Sequence, residues 1–225
     1  ALLTERKLEG LAPQLVVTDV QQASGRFGSL KRQAFEGKVI AITGSAGKTT
    51  TKNLVAAALA TAGQVHATVG NQNNELGVPI TLSGLTSNHR FGVIEMGAGQ
   101  PGDIAYLCQL ARPNVAVCLN ASAAHLAHYD SVDAIAATKG EIFGGLAGKG
   151  LAVINADQKW LPQWREQGGT ARQVTFGLAE DADYRATDIE HRGMEGSHFQ
   201  LLTQAGSQQV SLQLAGEQHV KNALA

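Results

Sequence analysis

The run Val39-Ile40-Ala41-Ile42-Thr43-Gly44-Ser45-Ala46-Gly47-Lys48-Thr49-Thr50 decides the fold. It opens with an unbroken apolar stretch of strand length, and such stretches suit a parallel strand buried on both faces. Gly44 and Gly47 then turn the chain. Thr49 to Ala62 is rich in Ala, Leu and Val and reads as a helix closed by Gly63. A glycine turn between a buried strand and a helix is the setting of a phosphate loop. Its backbone N–H groups face an anion, and the helix start adds positive potential. Lys48 can reach terminal phosphates, and the Thr49 hydroxyl can ligate Mg²⁺. The usual eight-residue pattern has Gly where this chain has Ile42, so the loop is the shorter form G-x-x-G-K-T. The plain alternative is an ordinary tight strand-to-helix turn.

The same alternation continues outward. Ahead of the loop, Leu15-Val16-Val17 is a short apolar stretch and Arg26 to Phe35 is helix-like. After it, strands are expected at Val65–Val69, Phe91–Met96, Val115–Leu119, Leu151–Asn155 and Val174–Phe176. Helices are expected at Pro101–Ala111 and Val132–Leu146. Strands alternating with helices imply βαβ units. Past Gly177 the pattern changes. His198–Thr203 and Gln209–Leu214 alternate apolar and polar residues around Ala205-Gly206-Ser207, which predicts an antiparallel hairpin. The expected fold is therefore α/β: a P-loop-type, mainly parallel sheet flanked by helices, with a small antiparallel subsheet near the C-terminal end.

Composition narrows the classes. The 225 residues are 44% hydrophobic with 26 glycines, and only 16% are charged. An average soluble domain carries about 25% charged residues, so this chain is core-rich and not disordered. Net charge is −1, without the basic excess of a nucleic-acid binder. No apolar run approaches the ~20 residues of a membrane span. Cys108 and Cys118 make no disulfide framework and lack metal spacing, so a reducing, cytoplasmic setting is expected. The chain starts without Met and ends at Asn222-Ala223-Leu224-Ala225, the opening of a helix. That pattern suggests a piece of a longer chain.

Four further places carry candidate chemistry. Glu95 ends a strand at the carboxyl edge of the sheet, where open α/β folds bind ligands. It can hold Mg²⁺ or be a solvated strand-end carboxylate. His125 follows the strand Val115–Leu119 and is a metal ligand or a polar loop residue. His125 with His128 suggests zinc by spacing, but no third or fourth ligand is evident. Lys139 alone reads as a solvated helical charge. Gly70-Asn71-Gln72-Asn73-Asn74-Glu75-Leu76-Gly77-Val78-Pro79 is an amide cluster that suits a capped turn or a polar ligand.

Together these segments resemble the Mur ligases, ATP-dependent amide-bond ligases of peptidoglycan precursor synthesis. Thr43–Thr50 resembles the family's phosphate loop and Glu95 its metal-binding glutamate. Asn120-Ala121-Ser122-Ala123-Ala124-His125 fits its N-x-x-x-x-H motif, and Lys139 matches the lysine that the family carbamylates. Gly216-Glu217-Gln218-His219-Val220-Lys221-Asn222 resembles its G-x-H-N-x-x-N segment beside the adenine. It departs at Gln218 and His219, which leaves Asn222 as the residue carried over.

The resemblance covers roughly residues 30–225. It implies that residues 1–36 close an N-terminal UDP-sugar-binding domain and linker, that residues 37–225 are the central ATP-binding domain, and that the C-terminal domain is absent. It also implies ATP bound by Gly44, Ser45, Ala46, Gly47, Lys48, Thr49, Thr50 and Asn222. Two Mg²⁺ sites are implied, one at Thr49 and Glu95, the other at His125 and a carbamylated Lys139. The resemblance makes Lys48, His125 and Lys139 the expected catalytic set. The Asn-rich segment and Lys139-Gly140-Glu141-Ile142-Phe143 are most similar to the member whose substrates are UDP-MurNAc-tripeptide and D-Ala-D-Ala, with Asn71, Asn73 and Asn74 on the UDP-MurNAc-peptide. The reaction implied runs through an acyl phosphate, in a cytoplasmic monomer. Competing readings are another Mur-type or folylpolyglutamate-type ligase, or a nucleotide-binding module that no longer catalyses. Guanine or kinase specificity motifs are not found.

Overall fold

The computed structural model describes residues 2–10, 13–123 and 129–225. Two short strands, β1 (Leu2–Thr4) and β2 (Gln14–Val16), pair in parallel as a separate two-stranded sheet. Then follow α1 (Val20–Gln33), β3 (Lys38–Thr43), α2 (Lys48–Ala60), β4 (Val65–Ala67), α3 (Gly77–Ser83), β5 (Phe91–Glu95), α4 (Asp103–Ala111), β6 (Val115–Cys118) and α5 (Val132–Gly144). The chain continues through β7 (Leu151–Asn155), α6 (Leu161–Gly168), β8 (Arg172–Gly177), β9 (Tyr184–His191), β10 (Ser197–Thr203), β11 (Gly206–Leu212) and α7 (Glu217–Leu224). Nine strands form one sheet in the order β11-β10-β9-β8-β7-β6-β3-β5-β4. Pairing is parallel from β4 through β9 and antiparallel among β9, β10 and β11, as expected from sequence.

The apolar run of β3 explains its central place. Val39 and Ala41 point into one core, with Val78, Leu82, Ile104, Ile135 and Trp164. Ile40 and Ile42 point into the other, with Val117, Val153, Phe176 and Val220. Helices α3 to α6 cover the first face; α2 and α7 cover the second. Both faces of β3 are therefore dry, as an unbroken apolar strand requires.

Several elements differ from the sequence expectation. Helix α1 starts at Val20, ahead of Arg26, because the Asp19 side chain accepts from Gln22 N (2.8 Å) and caps it. Its Gly25 and Gly28 are buried against Tyr106 and Pro79, so α1 packs closely on α4 and α3. Helix α3 lies within the amide segment and beyond it; Val78 and Leu82 bury its inner face. Helix α6, with a proline in its first turn, and strand β9 were not visible in the polar patterns around them. The hairpin turns one residue early: Thr203 pairs with Gly206, so Gln204 and Ala205 form the loop. Among the described residues no helix is long and apolar enough to cross a membrane.

Trp164 is the largest fully buried side chain. It packs beside Phe143 and Trp160 and donates from Nε1 to Ala136 O (2.9 Å). Trp164→Ala removes that volume and the hydrogen bond of its indole. Urea unfolding is expected to show a loss of about 4 kcal/mol, and a loss below about 1 kcal/mol would contradict this packing.

Candidate functional site

Parallel register builds the site. Ile42 of β3 lies beside Glu95 of β5, and Thr43 beside Cys118 of β6, so the tips of three strands open on one crevice. The loop Gly44–Gly47 leaves β3 there and enters α2. Gly47 has φ +84°, a left-handed conformation that L side chains rarely adopt, and a Cβ on it would run into the Asn222 side chain. Asn120, just past β6, braces the loop. Its Oδ1 accepts from Ala46 N (2.9 Å) and its Nδ2 donates to Ala46 O (3.0 Å). Asn120 O also accepts from Ser45 N (3.0 Å). A pattern of residue types could show that Asn120 belongs to a motif, but not that it grips the loop.

Glu95 is only 1% exposed, so the solvated alternative is set aside. Its Oε2 accepts from Thr49 Oγ1 (3.0 Å) and its Oε1 from Asn73 Nδ2 (2.8 Å). Lys48 Nζ donates to Gly44 O (2.7 Å), folded over its own loop. Burial pushes the Lys48 ammonium below its ordinary range, opposed by the Glu95 charge. Lys139 is also buried, at 5% exposure, so it is not the solvated charge its pattern suggests. Burial first, and Lys48 second, bring it down to about 8. The Cys118 thiol nearby is pushed up to about 12 by burial and is inert.

Lys48, Asn73 and Lys139 border one cavity of about 430 Å³, lined also by Ser45, Asn74 and Tyr106 among others; Glu95 lies behind Asn73. A smaller recess of about 240 Å³ lies across the loop, bordered by Gly47, Thr50, Asn155 and Asn222. Gln218 and His219 line it too. The amide segment has structural duties. Asn74 Oδ1 accepts from Leu76 N (3.3 Å) and Gly77 N (2.9 Å) at the start of α3. Asn73 O accepts from Gly97 N (2.7 Å). Asn71 is exposed and is not among the cavity-lining residues. His125 and His128 lie outside the described residues. Among the described residues no group of three His, Cys, Asp or Glu could hold a metal ion.

The donor set suits a hard cation. Thr49 and Glu95 offer a hydroxyl and a buried carboxylate, the oxygen ligands that Mg²⁺ takes. The Gly47 turn and the start of α2 suit a phosphate tail.

Residues 42–225 match the model of the Mur ligase middle domain. The chain belongs to the Mur ligase family. It is 42% identical over 227 residues to the UDP-N-acetylmuramoyl-tripeptide--D-alanyl-D-alanine ligase of Escherichia coli, covering 100% of this chain and 50% of that protein. Identity to the Haemophilus influenzae ligase of the same name is 39% over 231 residues, covering 100% and 50%. Among solved structures, MurF from Acinetobacter baumannii superposes with a TM-score of 0.91 at 37% identity, covering 99% of this chain and 49% of that one. The MurF ligase of Thermotoga maritima in complex with ADP gives 0.86 at 29% identity, covering 100% and 52%. The chain thus spans about half the length of the curated relatives it matches.

The depressed Lys139 has a measurable signature. Between about 8 and the ordinary 10.5 the unfolded chain holds a proton on this lysine that the folded chain has released. Stability must therefore rise with pH through that window. Relative to Lys139→Met, the native protein is expected to gain unfolding free energy from pH 8 to 10.5 and to change little below it. A flat difference in denaturant titrations across that range would contradict the assignment.

Proposed function

We propose that this chain is the central part of an ATP-dependent ligase that joins D-alanyl-D-alanine to UDP-MurNAc-tripeptide in peptidoglycan precursor synthesis, in the cytoplasm and as a monomer. The observation that carries the reading is that Lys48 and Lys139 border one cavity at the strand tips, and that Asn73 on its wall holds Glu95, which in turn holds Thr49 of the phosphate loop. In this reading residues 1–36 close a UDP-sugar-binding domain, residues 37–225 handle ATP, and a further domain follows.

The first step brings a carboxylate to the γ-phosphorus of ATP, so two anions must meet. Charge neutralisation is then the main need. The N–H groups at the start of α2, from Gly47 to Thr50, and the Lys48 ammonium would take the phosphates, with Ser45 and Ala46 held in the loop by Asn120 and Asn222 at the recess beyond Gly47. Thr49 and Glu95 would hold one Mg²⁺. His125 and Lys139 would hold a second, with Lys139 carried as a carbamate. Bound there, Mg²⁺ supplies charge neutralisation at the phosphates. The carboxylate oxygen bonds to the γ-phosphorus as the bond from that phosphorus to the ADP oxygen breaks, which gives the acyl phosphate with ADP still bound. The dipeptide amine then attacks the acyl carbon, and phosphate leaves with the bonding pair. Asn73 and Asn74 edge the cavity where the UDP-linked substrate would enter, with Asn71 on the exposed turn beside them.

The carbamate has a physical basis in Lys139. An ammonium repels Mg²⁺, whereas a neutral amine adds CO₂ and becomes an anionic oxygen ligand. A lysine held near 8 supplies that neutral amine far more readily than one at 10.5.

The test uses the full-length parent protein. Phosphate release is expected to require both UDP-MurNAc-tripeptide and an amine, with D-Ala-D-Ala preferred over single amino acids. Lys139→Ala is expected to lower the rate by about 100-fold or more, with partial recovery on adding short carboxylates. Nucleotide binding with no phosphate release under any combination would favour a silent nucleotide-binding module, and a preference for a diamino acid would favour another Mur-type ligase.

A further inference from the structure

Lys52 is a buried cation that the proposed chemistry leaves unused. Its side chain is 4% exposed, and its ammonium is occupied by backbone carbonyls. A buried ammonium is costly unless its donors are matched. Here they are: Nζ donates to Thr68 O (2.8 Å) and Gly70 O (3.3 Å), with Glu95 Oε2 at 3.9 Å. Thr68 is itself buried. Its Oγ1 accepts from Glu95 N (3.0 Å), and its own N–H donates to Val93 O (3.0 Å). Lys52 therefore reaches Glu95 twice, by charge and through Thr68. Gly70 opens the turn that carries Asn73, whose amide holds the other Glu95 oxygen.

We infer that Lys52 is a positioning residue that ties the Glu95 carboxylate and the Gly70–Asn74 turn to α2, one turn beyond the phosphate loop. Three separate segments meet on its ammonium: α2, the end of β4 with the turn after it, and the tip of β5. A neutral side chain of equal length leaves two carbonyls and a carboxylate without their shared donor. The turn then loses its anchor, and Glu95 loses the backbone and charge partners that aim it at Thr49. This inference deepens the reading of Glu95 as a metal-side carboxylate and rests on it.

The test compares full-length wild type with Lys52→Met by two measurements that need no turnover. The first is amide hydrogen exchange in metal-free, nucleotide-free protein. Amides of residues 68–76 are expected to exchange about tenfold faster or more in the variant, while those of β6 and β7 stay as in wild type. The second is calorimetric titration of Mg²⁺ into the ADP-saturated protein, where affinity is expected to fall by about tenfold. Should Lys52→Met not fold, Thr68→Val replaces it. That variant keeps the carbonyl but strips the acceptor from Glu95 N, and the same weakening of Mg²⁺ is expected. Wild-type exchange at residues 68–76 or unchanged Mg²⁺ affinity in Lys52→Met overturns the inference; for the substitute variant, unchanged Mg²⁺ affinity does so. A wild-type protein that takes up no Mg²⁺ with ADP refutes the metal role of Glu95, while the exchange comparison still reports on Lys52.

Discussion

A hydroxyl at the first turn of a helix donates to a carboxylate that water cannot reach. That contact, Thr49 Oγ1 to Glu95 Oε2 at 3.0 Å, joins the loop leaving β3 to the tip of β5. Much of the crevice follows from the need to satisfy it. A buried carboxylate must be surrounded by donors. Asn73 supplies one from the turn after β4, and Lys52 supplies positive charge from α2. Lys52 and Asn73 in turn hold the turn and the Gly97 backbone in place, and Asn74 beside them holds the start of α3. A ligand-sized opening is thus framed by groups that are already fixed before anything enters it.

The sheet order explains why the opening lies where it does. The chain leaves β3 for the edge strand β4, returns to β5 beside β3, and then crosses to β6 on the other flank. Connections diverging from one strand leave a gap above its carboxyl end, the place where open α/β sheets take ligands. Gly44 to Gly47 occupies that gap, and Asn120 locks it from the β6 side. Lys48 and Lys139 approach from α2 and α5. Each lowers the ammonium character of the site by burial, and Lys48 depresses Lys139 further. Two buried ammonium groups in one half-dry crevice repel each other, and the site relieves that cost by easing the proton from Lys139.

Much of this was legible in the residues themselves. The β3 run, the glycine loop and the helix after it carry strong local signals, and residue pattern placed them within a residue or two. The parallel core and the antiparallel C-terminal strands were likewise visible as unbroken against alternating apolar patterns. Burial was not. Glu95 and Lys139 look like ordinary charges in sequence, because only the packing of distant strands and helices removes them from water. Helix α6 was hidden for a related reason: its buried Trp164 finds partners on α5 that only the folded chain brings beside it. The amide segment shows the limit most plainly. Its composition announced hydrogen bonding, but not that Asn74 serves the start of α3 and Asn73 serves Glu95, since both partners depend on where the chain returns.

The central claim is that Thr49 and Glu95 form a cation seat beside the phosphate loop. The most direct measurement is a crystal structure of the full-length protein with ADP and Mn²⁺, read at the manganese absorption edge. The account predicts an anomalous peak in contact with Thr49 Oγ1 and a Glu95 carboxylate oxygen, with the diphosphate lying on the backbone of Gly44 to Thr49. A diphosphate bound elsewhere, or a peak that leaves Glu95 bonded only to Thr49 and Asn73, would contradict it.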